Sequence, residues 1–213
     1  TLYHHARDGS WLPPITIVPE IEKLNDKHCM THIGSRVVVA NEPRDEQQEI
    51  TFSSTADIKT WYANQKITIG GRLRPLGDVW LTHKDRRQRD QVVFEPGLDT
   101  PLDYNLFKGW AVKSIEGECS KYLDHVYKNI CNGQKEHFEY VLHWMADAIQ
   151  KPRNRPGVAL VLRSEEGCGK GIFARELGAI FGRHYTQVVH TRHLTGHFNS
   201  QLRNKLLCFV DEA

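Results

Sequence analysis

The stretch of sequence that decides the fold runs from Val158 to Gly171 and reads VALVLRSEEGCGKG. Its first five residues are apolar, which is typical of a strand covered on both faces of a sheet. A glycine-rich turn follows, and a helix is predicted from Lys170 to about Phe181. A strand, a glycine-rich turn and a helix in this order are the context that a phosphate-binding loop requires.

The residues of this turn suit a phosphate chain. Gly167 and Gly169 leave backbone amides unobstructed, and the helix that begins near Lys170 offers its positive end. The Lys170 ammonium can follow the β- and γ-phosphates, so this lysine is also predicted to act in catalysis. We therefore predict a P-loop with these nucleotide-binding residues: Ser164, Gly167, Cys168, Gly169, Lys170, Gly171 and Ile172.

The turn departs from the common pattern G-x-x-x-x-G-K-[ST] at two positions. Ser164 stands where the first glycine is common, and Gly171 replaces the hydroxyl residue after the lysine. The usual magnesium-binding hydroxyl is therefore missing from its place. A strand-to-helix turn whose glycines serve only tight packing is the alternative interpretation.

A second apolar run, Leu206–Val210, ends in two carboxylates, Asp211 and Glu212. In P-loop ATPases the first such acid holds the magnesium shell and the second polarises the attacking water. We predict that Asp211 is the metal residue and Glu212 a catalytic residue, with ATP and Mg²⁺ as cofactors. An ordinary strand end that faces solvent is the alternative.

The pattern divides the chain into three segments. Residues 1–101 are a β-rich region, residues 102–155 a helical linker subdomain, and residues 156–213 alternate strands with helices. Such alternation is typical of a parallel sheet. The predicted fold class is α/β: a β-rich N-terminal region, a short helical section, then the first half of a P-loop NTPase parallel sheet with helices.

Local patterns predict the finer elements. A short helix capped by Thr55 is predicted in the first segment, and two helices, at 120–131 and 135–150, in the second. Asn132-Gly133 ends the earlier of these two. Strands are predicted at Arg36–Ala40, Glu49–Ser53, Asp78–Trp80, Gln91–Phe94, Val158–Leu162, Thr186–His190 and Leu206–Val210.

Composition narrows the class of protein. The chain has 213 residues and a formal net charge of +2, which neither indicates nor excludes a nucleic-acid binder. No apolar run is long enough to span a membrane, and the first residues lack the apolar core of a secretory signal. The five cysteines contain no C-x-x-C pair. We therefore predict that the protein is cytoplasmic, that its cysteines are reduced and that it has no membrane partner.

The densest basic cluster consists of Lys84, Arg86, Arg87 and Arg89, and it is a candidate contact for nucleic-acid phosphates. Aromatic residues nearby offer stacking surfaces for exposed bases. They are Trp61, Tyr62 and Trp80. The alternative interpretation is a solvated hairpin tip, because runs of charge usually face water.

His190, His193 and His197 have spacings of three and four, which can place imidazoles on one helix face for zinc. No H-E-x-x-H motif is present, and Gly196 interrupts the run. A polar loop that leads into a helix is the favoured interpretation.

The motifs together resemble the helicase-like P-loop ATPase of phage, prophage and plasmid primase–helicase or primase–polymerase proteins, which is related to superfamily 3 helicases. The resemblance covers residues 104–213 well and the β-rich segment less closely. It rests on Tyr104–Trp110, His137–Trp144, Arg155–Arg163, the GCGKG turn, His193–Asn199 and Leu206–Ala213, with weaker matches at Trp80–His83 and Val92–Gly97.

The resemblance implies an ATP-dependent DNA helicase or primase–helicase that replicates a mobile genetic element in a bacterial host or is encoded by a phage. It implies a homo-oligomeric ring around single-stranded DNA. A complete core of this kind continues beyond Ala213 into strands with a polar sensor and an arginine finger, so we do not expect this fragment to turn over ATP alone. A DNA- or partner-binding module with a structural, inactive P-loop is the alternative, and a small-molecule kinase is disfavoured.

Overall fold

The computed structural model describes residues 19–45, 48–154, 157–188 and 202–211. They form a mixed α/β fold with small sheets and several helices, arranged in two compact units. The first unit extends to Arg44 and includes Glu49–Val93 and Thr100–Tyr104; the second includes Phe94–Asp99 and the chain from Asn105 onward. The three-segment division remains a prediction.

The first unit combines a helix, a three-stranded antiparallel meander and a β-hairpin with two further helices. In chain order its elements are α1 Pro19–Lys27, β1 His28–Ile33, β2 Arg36–Asn41, β3 Thr51–Ser53, α2 Thr55–Trp61, β4 Lys66–Ile69, β5 Arg72–Pro75, α3 Leu76–Thr82 and β6 Val92–Val93. The short strand β6 pairs with β7 Tyr104–Asn105, whose second residue is the first of the Asn105 segment.

The predicted strands at Arg36–Ala40 and Glu49–Ser53 are confirmed as β2 and the shorter β3. The helix predicted after them begins at Thr55, but its cap is Ser54 rather than Thr55. The Ser54 hydroxyl accepts a hydrogen bond from the Asp57 amide, and the Asp57 carboxylate accepts one from the Ser54 amide. This reciprocal capping box satisfies two amides that the helix itself leaves without acceptors.

The strand predicted at Asp78–Trp80 is wrong, because these residues lie inside helix α3. Leu76, Val79 and Trp80 follow helical spacing, and all three are buried in the first unit's core. Gly77 allows this helix to approach α2 closely: a Cβ there would lie 2.8 Å from the Ile58 carbonyl oxygen. Tertiary packing therefore overrides the local strand pattern.

His28 lies in the core of the first unit, hydrogen-bonded through Nδ1 to Asn41 Oδ1 at 2.9 Å and through Nε2 to the Tyr62 hydroxyl at 2.8 Å. Its ring also meets Trp80 edge-on, at a centroid distance of 5.8 Å. Burial lowers the pKa of His28 below its ordinary value, because desolvation penalises the charged imidazolium. The folded protein therefore keeps this histidine neutral.

The second unit is built from helices that pack beside a short parallel sheet. Its elements are α4 Ser120–His125, a π-helical turn Val126–Ile130, α5 Lys135–Gln150, α6 Lys170–Phe181, a 3₁₀ turn Gly182–His184, and the strands β8 Tyr185–Val188 and β9 Leu207–Val210. The predicted helices at 135–150 and 170–181 are confirmed at both ends. Asn132 and Gly133, with φ of 50° and 71°, end the π-helical turn as expected.

The core of the second unit forms around α6. Phe173, Leu177 and Phe181 lie on one face of this helix and are buried against Val126 and Met145 from the preceding helices. Burying side chains of this size contributes about 1.5–3 kcal/mol each to folding. The helix that follows the glycine-rich turn is therefore held by the core of this unit.

The strands β8 and β9 are parallel, with Tyr185 opposite Leu207 and Val188 opposite Val210. They confirm the predicted strand at 206–210 and part of the one at 186–190, whose last two residues lie outside the described part. The P-loop parallel sheet as a whole stays a prediction.

The strand predicted at Val158–Leu162 is not formed. Leu160 and Leu162 pack against the core, but Val161 is 88% exposed and is not covered on its second face. A strand requires a neighbour to exchange ladder hydrogen bonds, and no described strand lies beside this segment.

Among the described residues, no helix is long and apolar enough to cross a membrane.

We predict that the protein loses stability as the pH falls below about 6.5, the ordinary pKa of histidine, because the unfolded chain then binds a proton at His28 that the folded chain does not. The loss from this one group is at most about 1.4 kcal/mol per pH unit. Chemical denaturation between pH 5 and 8 measures it. His28→Gln, which cannot titrate, should show a shallower pH dependence; an equally steep one would assign the effect to other groups.

Candidate functional site: the turn before helix α6

The turn from Ser164 to Gly169 brings the chain to the first residue of α6. Gly167 and Gly169 adopt φ of 79° and 83°, in the left-handed region that side chains other than glycine rarely enter. Gly169 is the N-cap of α6, and Lys170 is its first helical residue. The backbone amides of the first helical turn have no intrahelical acceptors, so this end of the helix is suited to an anion.

The Lys170 side chain folds back over the turn. Its ammonium donates to the Ser164 carbonyl oxygen at 3.2 Å, to the Ser164 hydroxyl at 2.8 Å and to the Glu165 carbonyl oxygen at 3.0 Å. Residues 164–167 are exposed and Lys170 is half-buried. The structure therefore brings a positive charge and the amino end of a helix to the same open turn.

Three other predicted nucleotide-binding residues surround this point. Cys168 is half-buried, whereas Gly171 and Ile172 are exposed, Ile172 by 46%. A Cβ added at Gly171 would meet no heavy atom within 4 Å. The first turn of α6 is thus open to solvent on this side, and neither residue supplies a hydroxyl.

Helix α4 contacts the start of α6, which the sequence motifs did not indicate. The Tyr122 hydroxyl donates to the Phe173 carbonyl oxygen at 3.1 Å, and the two rings stack with an interplanar angle of 3°. Burial, with a smaller contribution from Glu176, raises the pKa of Tyr122 to about 12, so the phenol stays protonated and remains a donor.

His125, also on α4, reaches the turn itself. Its Nε2 lies 3.1 Å from the Gly169 carbonyl oxygen. Sequence reasoning missed this residue because 44 positions separate it from Gly169. His125 lies on the polar side of a predicted helix, and nothing in the local sequence distinguishes it from an ordinary surface histidine.

Asp211 follows β9 directly. Its amide donates to the Val188 carbonyl oxygen at 3.1 Å, and its carboxylate accepts a hydrogen bond from Gln187 Nε2 at 3.3 Å. Asp211 therefore lies at the carboxyl end of the parallel strand pair, and its role in a magnesium shell stays a prediction. No group of three or more His, Cys, Asp or Glu residues within the described ranges is arranged to hold a metal ion.

Several predicted residues lie outside the described part of the chain. Glu212, the predicted catalytic carboxylate, is one of them. The three histidines of the zinc hypothesis, His190, His193 and His197, are the others.

The basic cluster of the first unit divides into exposed and internally bonded residues. The Lys84 side chain is 75% exposed, with its ammonium 3.8 Å from the carboxylate of the adjacent Asp85. Arg87 instead pairs with Glu42 at 2.9 Å and donates to the Asn25 carbonyl oxygen at 3.2 Å. Two further members bond to nearby chain: Arg86 to the Leu81 carbonyl oxygen and to Gln88, Arg89 to the Gln88 carbonyl oxygen.

The aromatic residues near the cluster also differ from one another. Tyr62 and Trp80 are 5% and 0% exposed and belong to the core of the first unit. Their faces are therefore not available to stack on a base. Trp61 is 74% exposed.

Comparison with known proteins finds two sequence similarities. Residues 162–213 match a family described as a family of unknown function, DUF5906; this segment is under half of the chain. The chain is also 26% identical, over 111 residues, to the DNA primase-polymerase of Nitratiruptor phage NrS-1. That alignment covers 51% of this chain and 15% of the phage protein. No solved structure matches the chain.

We predict that Gly169→Ala destabilises the protein by roughly 1–3 kcal/mol, because alanine is strained at a φ of 83° and its Cβ would lie 2.4 Å from His125 Cε1. Gly171→Ala is the matched control: it meets open space inside a helix, where alanine is favoured by up to about 1 kcal/mol. Denaturant unfolding of both variants measures the difference. Equal stabilities would contradict the left-handed turn at Gly169.

Proposed function

We propose that this chain is the nucleotide-binding part of a P-loop ATPase in a DNA replication protein of a mobile genetic element. The observation that carries the proposal is the Lys170 ammonium, bonded to Ser164 and Glu165 across a turn that ends at the amino terminus of α6. A lysine in this position can transfer its hydrogen bonds to the β- and γ-phosphates of a nucleotide. The likeness to a phage DNA primase-polymerase supports the setting in replication.

The residues present fit ATP better than they fit a tightly held metal. The left-handed Gly167 leaves open space for phosphates beside the backbone, because a Cβ there would meet no heavy atom within 4 Å. Mg²⁺ keeps several waters and often binds through only one or two carboxylates together with substrate phosphates. In the proposed site Asp211 supplies that carboxylate and Glu212 activates water, while Gly171 and Ile172 contribute no ligand.

For the whole protein we propose an ATP-dependent helicase or primase–helicase that works as a homo-oligomeric ring on single-stranded DNA. ATP bound with Mg²⁺ supplies the phosphoanhydride bond whose hydrolysis drives such movement. The alternative function is a DNA- or partner-binding module in which the turn only joins the core to α6. The absence of a hydroxyl at Gly171 and Ile172 favours this alternative.

Lys170→Ala distinguishes the two functions. If the turn binds phosphate, the variant should weaken the binding of a fluorescent ATP analogue at least tenfold, because the cation that contacts the phosphates is lost. Fluorescence anisotropy with and without Mg²⁺ measures the affinity. Sensitivity to Mg²⁺ that disappears in Asp211→Asn would support the metal role of Asp211.

Lys205→Ala is the control for that measurement. Lys205 donates to the Arg183 carbonyl oxygen at 2.6 Å, away from the turn, so its loss should leave ATP affinity unchanged. Equal affinity of Lys170→Ala and the unaltered protein would remove the P-loop function and favour the binding module.

A nucleic-acid contact on the first unit is a second proposed function. Two adjoining grooves share Thr82, His83 and Lys84. One extends to Lys59 and Arg74, and the other to Arg86. Asp78 and Asp90 also line them. Asp78 pairs with Lys59 at 3.4 Å and Asp85 with Lys84 at 3.8 Å, so four cations stand against three carboxylates. Lys59, Arg74 and Lys84 are exposed, and exposed cations beside a groove suit the phosphate backbone of single-stranded DNA.

The double variant Arg74→Glu, Lys84→Glu should weaken binding of a single-stranded oligonucleotide about tenfold and reduce the slope of log affinity against log salt by roughly 1–2. Anisotropy titrations at several salt concentrations measure both. Lys135→Glu, at the start of α5 in the second unit, is the control for a general change of charge. If the control weakens binding as much as the double variant, the groove is not the contact.

A further inference from the structure

The imidazole of His125 has a partner on each nitrogen. Nε2 lies 3.1 Å from the Gly169 carbonyl oxygen, and Nδ1 lies 2.9 Å from Nδ2 of Asn129. An amide NH₂ can only donate, so Nδ1 accepts and the proton is on Nε2. The imidazole thus donates through Nε2 to the last carbonyl before the helix, and Asn129 sets its tautomer.

This hydrogen bond acts on the peptide group that joins Gly169 to Lys170. The Gly169 carbonyl oxygen also accepts from the Phe173 amide at 3.1 Å, so two donors hold it. Because the peptide unit is planar and trans, the Lys170 amide must point away from that carbonyl. That amide is one of the unpaired donors at the start of α6, so His125 fixes the direction of an N–H in the turn.

The fit between His125 and Gly169 is close. A Cβ at position 169 would lie 2.4 Å from His125 Cε1 and 2.9 Å from Nε2. The imidazole therefore occupies the space beside the Gly169 backbone that any other residue would need. Helix α4 ends at His125, and the π-helical turn that follows contains Asn129. Turns of this type are frequent at functional sites.

We infer that His125, oriented by Asn129, is a positioning residue that presets the phosphate-binding turn. This inference rests on the proposed nucleotide-binding function. Under this inference the helical section before the turn, which contains His125 and Asn129, contributes to the affinity for phosphates. His125 does not contact the nucleotide in this role; it acts through the Gly169–Lys170 peptide group.

The role predicts an effect that depends on the phosphates of the ligand. In His125→Ala the peptide group loses one of its two holding bonds, and affinity for ATP and for inorganic tripolyphosphate should fall roughly 3- to 10-fold. Affinity for adenosine, which has no phosphate, should stay the same. Asn129→Ala should give a smaller loss of the same kind, and His125→Gln, which keeps a donor, should recover part of the affinity.

Anisotropy of a fluorescent ATP analogue, with the three unlabelled ligands as competitors, measures these affinities. His137→Ala is the matched control, since His137 is an exposed histidine on α5. Unchanged affinity for ATP and tripolyphosphate in His125→Ala would overturn the inference. An equal loss for adenosine would also overturn it, because that result is expected when the variant merely perturbs folding.

A nucleotide-free measurement separates this inference from the proposed function. Nitrogen-15 NMR of the unaltered protein should show the Nε2–H tautomer at His125. Hydrogen exchange at the Phe173 amide, which donates to the Gly169 carbonyl oxygen, should accelerate in His125→Ala but not in His137→Ala. If the unaltered protein binds no ATP while these two signatures are present, the proposed function fails and the positioning of the turn stands. If the signatures are missing, the positioning role fails whatever the protein binds.

Discussion

The packing of α6 against the two helices that precede it is the constraint on which the candidate site depends. Phe173, Leu177 and Phe181 bury one face of α6, and the Tyr122 hydroxyl bonds to its first turn. This packing fixes the direction of the helix axis. The amino end of the helix, with Lys170 as its first residue, is thereby held beside the open turn.

The turn itself combines left-handed backbone with a cation that is satisfied internally. Gly167 and Gly169 adopt the left-handed backbone of the turn, and the Lys170 ammonium bonds to the carbonyl oxygens of Ser164 and Glu165. In the proposed function, binding a phosphate would exchange these hydrogen bonds rather than create new ones from unpaired groups. The internal bonds of Lys170 order the turn without a ligand, which would reduce the entropy lost on such binding.

Local patterns predicted the parts of the fold that depend on neighbours along the chain. Helices α5 and α6 were predicted at the ends where the structure has them, because apolar periodicity and glycine punctuation act over short range. The strand at Val158–Leu162 and the strand at Asp78–Trp80 were predicted wrongly. Residues 158–162 form no strand because no described strand lies beside them to pair with. Residues 78–80 are helical because the helical spacing of Leu76, Val79 and Trp80 buries all three in the core of the first unit.

The sequence by itself determined the turn, its lysine and the helix after it, because residues 164–181 are contiguous and their glycines set the backbone locally. Only the tertiary structure decided which distant side chains meet that turn. His125 reaches Gly169 because α4 packs on α6, and Arg87 turns inward because Glu42 lies beside it. No spacing along the chain encodes such contacts, since they depend on how separate elements pack together.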